Sequence, residues 1–186
     1  ALQTKVQRSW QTGYSCIMSN KIKKLLNVMR QLRHPETGCP WDRKQTYESI
    51  APYTIEEAYE VEDAVERKDI EALKSELGDL LFQVVFYSQI ANEDGEFSFD
   101  DVVEAITEKM VERHPHVFSN ETFHNAEEQT NNWEAHKQEE RSRRAALEKR
   151  SISILDDVPK NLPALVRAKK LTKRAAAVGF DWPQTD

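Results

Sequence analysis

Cysteine and glycine are scarce in this chain, with two Cys and five Gly among 186 residues. Cys16 and Cys39 form no CxxC spacing and imply no disulfide framework, so a reducing cytoplasm is the simplest setting. So little glycine suits helices better than sheets, and no segment alternates apolar and polar residues over a strand's length. Long apolar runs are missing too. Gln83, Ser88 and Gln89 interrupt the longest one, which excludes a membrane-spanning helix and argues against a membrane partner. Residues 1–17, "ALQTKVQRSWQTGYSCI", have neither the basic start nor the apolar block of a signal peptide. Basic charge is the minority, 26 Lys and Arg against 32 Asp and Glu, which argues against general affinity for nucleic acid.

What the chain does have is helical periodicity, and the expected fold class is all-α, a helical bundle. The length suits one domain with a real core, or one domain and a tail. Periodicity starts at Met18, read as the native start, which makes residues 1–17 an extraneous or disordered leader. Ile22, Leu25, Leu26, Met29 and Leu32 recur at helical spacing over about three turns, ending before the loop "HPETGCPWD". A second helix is expected over Thr54–Arg67, with Thr54 and Glu57 spaced as a capping box, and a third over Ile70–Asn92. "EDGEFS" breaks it. Ser98 and Asp101 open a fourth, carrying Val102, Ile106 and Met110 and stopped by Pro115, and a polar fifth spans Ala126–Lys149.

These helices make up a domain at 18–150, followed at 151–186 by a linker helix and a short further piece. "ISILDDVPKNLPAL" reads as linker with a cap at Asn161, before a helix over Leu162–Val178 that ends at Gly179. The closing "GFDW" after a Lys-rich helix echoes the "GCPW" after the first helix, as the opening of a second, truncated repeat would. Arg141–Arg174 holds eleven basic and three acidic residues, read as a solvated helix and linker in preference to an anion site.

The acids are placed where a core is expected. Glu56–Asp79 contains ten acidic and three basic residues, and it runs directly into the apolar "LLFQVVFYSQIA". At 100° per residue Glu57 and Glu60 share a helix face, as do Glu76 and Asp79, with Glu56 close beside the first pair. Leu80, Leu81, Phe82, Val84, Val85, Phe86 and Ile90 wrap the third helix nearly all round, so burial is expected at its entry. Gly78 between the acids suggests a close approach to the backbone. Paired acids on a buried face cost several kcal/mol, roughly, unless a cation compensates them. Lys74 is the only basic residue between Asp69 and Asn92, so a divalent metal answers better than arginine or lysine. Carboxylates without Cys or His favour Mg²⁺ or Mn²⁺ over Zn²⁺. The plainer readings are Glu57 as a capping acid and Asp79 paired with an arginine of another helix.

"EEAYE" at Glu56–Glu60 followed by "ELGD" at Glu76–Asp79 resembles the EExxE…ExxD signature of the MazG-type nucleoside triphosphate pyrophosphohydrolases. "GCPWD" and "RHPHVF" are similar to further marks of that family, and the likeness covers about Asn20–Glu140. The resemblance implies an all-α enzyme that hydrolyses (d)NTPs to the monophosphate and pyrophosphate with Mg²⁺, broadly in base. It also implies a homodimer or higher assembly of helical bundles, in which dimerisation completes the fold. By resemblance the metal ligands fall on Glu57, Glu60, Glu76 and Asp79. Nucleotide contacts fall on Lys109 and Arg113 for the phosphates, and on Trp133 and Lys137, with the Trp133 ring stacked on the base. A solvated stripe is the other reading of Lys109 and Arg113, and a helix anchor that of Trp133. Glu56 is the expected base that orients or deprotonates the attacking water. Structural roles are expected for His114 and His116, and packing of the first loop for Trp41 and Asp42. Two alternatives remain open: a metal-binding regulatory or assembly domain with little activity of its own, and a narrow dUTP- or dCTP-type pyrophosphatase.

Overall fold

The computed structural model describes residues 14–119, 125–149, 151, 153–156 and 158–180. Helices α1 (Tyr14–Leu32), α2 (Tyr47–Glu66), α3 (Ile70–Glu93), α4 (Phe99–Glu112), the single turn α5 (Pro115–Phe118), α6 (Ala126–Leu147) and α7 (Ala164–Ala176) follow in chain order. No strand occurs among the described residues, as the missing alternation predicts. Most of the expected leader, residues 1–13, lies outside them, and α1 already starts at Tyr14, ahead of Met18.

Two expected helix starts are corrected. Helix α2 begins at Tyr47, seven residues before Thr54, because Thr46 is its cap. The Ser49 amide donates to the Thr46 Oγ1 (3.3 Å) while the Thr46 amide donates to the Ser49 Oγ (2.8 Å), a reciprocal box with serine in place of the usual glutamate. Pro52 lies inside the helix, in its second turn, where it removes the N–H that would otherwise meet the Glu48 carbonyl. Thr54 is therefore an interior residue, and its hydroxyl meets the Tyr87 hydroxyl of α3 at 3.0 Å. Asn161 does not cap α7 either. Pro163 holds the cap position without a side-chain bond, its fixed φ serving as the pre-set entry. The helix ends as expected at Gly179, whose φ of +81° suits glycine, with the Phe180 amide donating to the Ala175 carbonyl at 3.1 Å. The Ser98–Asp101 opening of α4 forms as expected, the Ser98 amide donating to the Asp101 carboxylate at 2.7 Å.

The chain packs as two compact units, Ala1–Met110 and Val111–Asp186. In the first, α3 is the central helix, packed along α2 and against α1. Met29 of α1, Ile50 of α2 and Val85, Phe86 and Ile90 of α3 form the buried core, ringed by Leu25, Leu26, Tyr47, Phe82, Tyr87 and Phe99. Fully burying such side chains contributes roughly 1.5–3 kcal/mol each. The core thus lies along the second half of α3. Its first half carries Leu77 49% exposed.

Arg33, just past α1, ties three segments together. Its guanidinium donates to both oxygens of Glu93 at the end of α3 (closest 2.6 Å), to the Asp42 carbonyl (2.6 Å) and to the Gln45 carbonyl (3.2 Å), and lies over the Phe86 ring. The "HPETGCPWD" loop is pinned as a result. At Gly38 a Cβ would come within 2.4 Å of the Leu32 carbonyl oxygen, so only glycine fits there.

Candidate metal centre

A three-residue turn, Arg67–Asp69, reverses the chain between α2 and α3 and sets the two acidic segments side by side. Lys68 takes a positive φ of 57°, and the Asp69 carboxylate accepts from the Ala72 amide at 3.0 Å to start α3. Across this hairpin, Glu57 of α2 and Glu76 and Asp79 of α3 each offer an oxygen, all within 4.8 Å of one another. These are three of the four expected ligands. Glu60, one turn beyond Glu57, is exposed and lies outside that group, as does the exposed Glu56. Both still bear on Glu57 electrostatically.

The setting differs from the one expected. Glu76 and Glu57 are half-buried and Asp79 is exposed, so the acids occupy the open end of α3 instead of a buried face. The reason is coverage: the seven apolar residues that wrap α3 begin at Leu80, and the core they join, Val85, Phe86 and Ile90, is about one to three turns further along. Gly78 is corrected as well, since a Cβ placed there would meet nothing within 4 Å.

The cluster is nonetheless uncompensated. Burial first, then the charges of Asp79, Glu60, Glu76 and Glu56, push the Glu57 carboxyl up from the ordinary glutamate range. Its Oε2 is shut off from solvent and has no hydrogen-bond donor. Lys74 is turned to Glu71 at 2.6 Å, and Arg67 to Asp63 at 2.7 Å. Among the described residues no lysine or arginine pairs with Glu57, Glu76 or Asp79. A shielded oxygen that lacks a donor, converging with two other carboxylates, is the donor set that a hard divalent cation takes.

The expected nucleotide contacts fall elsewhere in the chain. Lys109 is exposed in the last turns of α4. Arg113, Trp133 and Lys137 come together in the second unit. The Arg113 guanidinium, 12% exposed, donates twice to Glu140 (3.0 and 2.6 Å) and lies over the Trp133 ring at 5.0 Å. Lys137 lies over the same ring at 5.7 Å and reaches Glu134 at 3.4 Å, and Lys173 meets Glu134 at 3.3 Å. Burial raises the Glu134 carboxyl, but the two lysines outweigh it and hold it below its ordinary range. His114 meets Trp133 edge-on at 5.1 Å, the structural part expected of it. The Glu140 partner was missed: Arg113 lies in the turn just past α4 and Glu140 on α6, and charge pattern along one helix says nothing about such pairs.

Residues 45–118 match the MazG nucleotide pyrophosphohydrolase domain, a span that includes all five acids. The domain belongs to the MazG family. Over 163 residues, 88% of this chain, it is 54% identical to the nucleoside triphosphate pyrophosphohydrolase of Escherichia coli K12 and covers 60% of that protein. It is 42% identical over 160 residues to a nucleoside triphosphate pyrophosphohydrolase/pyrophosphatase MazG of Thermotoga maritima, covering 86% of this chain and 58% of that one. The chain thus spans about 60% of the length of these relatives. The crystal structure of a mazG-related protein from Thermotoga maritima superposes with a TM-score of 0.52 at 28% identity, over 62% of this chain and 98% of that one. The all-α expectation and the family resemblance are both borne out.

Proposed function

We propose that this MazG domain hydrolyses nucleoside triphosphates, broadly in base, to the monophosphate and pyrophosphate with Mg²⁺, Mn²⁺ serving as a substitute. The observation that carries the reading is the convergence of Glu57, Glu76 and Asp79 around an oxygen with no donor. Those three residues hold the ion, and Glu60, one turn along the same face, completes the set. When bound, Mg²⁺ supplies neutralisation of phosphate charge and a more acidic water. The Glu56 carboxylate, exposed beside Glu57, takes the proton of the attacking water. Lys109, Arg113 and Lys137 hold phosphate oxygens and stabilise the departing pyrophosphate. The part we assign to Trp133 is to order Arg113 and Lys137 against its ring.

A homodimer or higher assembly in the cytoplasm belongs to the same proposal. Ile55 and Tyr59 of α2, Leu77 of α3 and Val103 and Ile106 of α4 are each 44–55% exposed, more apolar surface than isolated protomers commonly show. Among the described residues no helix is long and apolar enough to cross a membrane. One observation favours a second reading, a metal-binding regulatory or assembly domain: the Arg113 fork is already closed by Glu140.

The deciding experiment incubates the chain with each nucleoside triphosphate, with and without Mg²⁺, and identifies the products. Mg²⁺-dependent release of pyrophosphate with the monophosphate supports hydrolysis between the α- and β-phosphates. Metal binding without turnover supports the second reading, and release of inorganic phosphate with the diphosphate overturns the proposed cleavage site.

A further inference from the structure

The "GCPWD" loop carries a feature that the hydrolytic proposal leaves unused. Its acid and its aromatic behave in opposite ways. Asp42 is buried, 8% exposed, as the expected packing of the loop requires, but Trp41 beside it stands 50% exposed. The loop is nevertheless held at many points. The Trp41 carbonyl accepts from the Lys44 amide (3.1 Å) and the Gln45 side chain (3.0 Å), the Cys39 amide donates to the Leu32 carbonyl (2.8 Å), and Arg33 grips the Asp42 carbonyl. An indole presented to solvent from so fixed a backbone has already given up the freedom that binding would otherwise cost.

The exposed indole also has a partner. Trp41 meets Tyr53 of α2 edge-to-face, with ring centroids 5.9 Å apart and planes at 72°, and Tyr53 is itself 40% exposed. In an edge-to-face pair one ring spends only its edge on the other, which leaves a π-face for a third planar group. Tyr53 precedes Glu57 by four residues, so the two share a helix face about 6 Å apart along the axis. An aromatic corner thus stands one turn from the metal carboxylates, within one packed unit. Trp133, by contrast, already carries Arg113 and Lys137 over its ring and His114 against it.

We infer that the Trp41–Tyr53 corner is the stacking platform for the nucleobase of the triphosphate held at Glu57, Glu76 and Asp79. The inference rests on the hydrolytic reading above and names the part of its substrate that this corner takes. Stacking engages the face every base has, so the platform adds affinity without strong preference among bases.

The test measures binding of α,β-methylene nucleoside triphosphates and of inorganic triphosphate, both with Mg²⁺, to the full chain. Trp41→Ala and Tyr53→Leu should each weaken the nucleotide analogues about tenfold, with similar factors for purines and pyrimidines. Affinity for inorganic triphosphate, which has no base, should stay at the wild-type value in both, which also shows that the variants are folded. Trp41→Phe should keep most of the nucleotide affinity. It should, however, lose the quenching of intrinsic fluorescence by nucleotide that Trp133→Phe retains. Equal losses for the nucleotide analogue and inorganic triphosphate, or no loss for either, would overturn the platform while wild-type hydrolysis still stands. A wild-type chain that binds no nucleotide would instead remove the hydrolytic reading, and the platform with it.

Discussion

Two glutamates of the first unit respond to pH in opposite directions. Burial pushes the Glu93 carboxyl up, yet hydrogen bonds from Arg33 and Gln89, with the Arg33 charge, outweigh it and hold it below the ordinary range. Its stabilising contribution is complete above the unfolded pKa of about 4.3 and is lost as pH falls through the lower folded value. Glu57 is raised, by burial and then by its acidic neighbours. Its cost is absent below about pH 4.3 and grows as pH rises through the higher folded value. With a chelator present, Glu57→Gln should therefore be more stable than wild type near neutral pH and indistinguishable from it in acid. Glu93→Gln should be less stable near neutral pH, the gap closing as the medium is acidified. Denaturant titrations across pH read both differences. At the same scale, Glu76→Gln and Asp79→Asn each remove one ligand charge without changing shape. Each should abolish Mg²⁺-dependent pyrophosphate release while far-ultraviolet circular dichroism stays that of the wild type. Full activity in either variant would contradict the metal assignment.

At the level of the helices, α3 shows why some of the fold was legible and some was not. Its span was readable to within a residue, because Asp69 before it and "EDGE" after it are local signals acting on the local backbone. The start of α2 was not, because Thr54 and Glu57 have the usual capping-box spacing while the Thr46–Ser49 box uses a serine where glutamate is the usual mark. Helix geometry put Glu57 with Glu60 and Glu76 with Asp79 on one face each, and the resemblance joined the two pairs, whereas the half-exposed setting of the cluster depends on what covers the open end of α3, a tertiary matter. Arg33 illustrates the same limit, since its four partners lie up to 60 residues away. Arg33→Met should cost about 2–4 kcal/mol in denaturant unfolding, because it strands two carbonyls and the Glu93 carboxylate. Gly78→Ala should act in the other direction. A helical glycine with open space at its Cβ position should gain about 0.5–1 kcal/mol on becoming alanine, measured without metal.

For the molecule as a whole, the exposed apolar residues of α2, α3 and α4 bear on assembly. A protomer carrying Ile55, Tyr59, Leu77, Val103 and Ile106 half in water should associate into a closed symmetric pair or larger ring. Sedimentation over a wide concentration range should show a dimer or larger species that Leu77→Glu shifts toward monomer. A monomer at every concentration would contradict the assembly proposal.

The three-residue turn between α2 and α3 also governs the order in which things happen during synthesis. Helical hairpins close through contacts near in sequence, the kind that form fastest, on a time scale of microseconds to milliseconds. Ribosomes add about 5–20 residues per second, so residues 111–186 emerge several seconds after the α2–α3 hairpin. The hairpin that carries Glu57, Glu76 and Asp79 is thus clear of the ribosome before Arg113, Trp133 and Lys137 emerge. An ion taken up by the proposed site at that stage would act as an early clasp on the hairpin while the rest of the chain is still emerging.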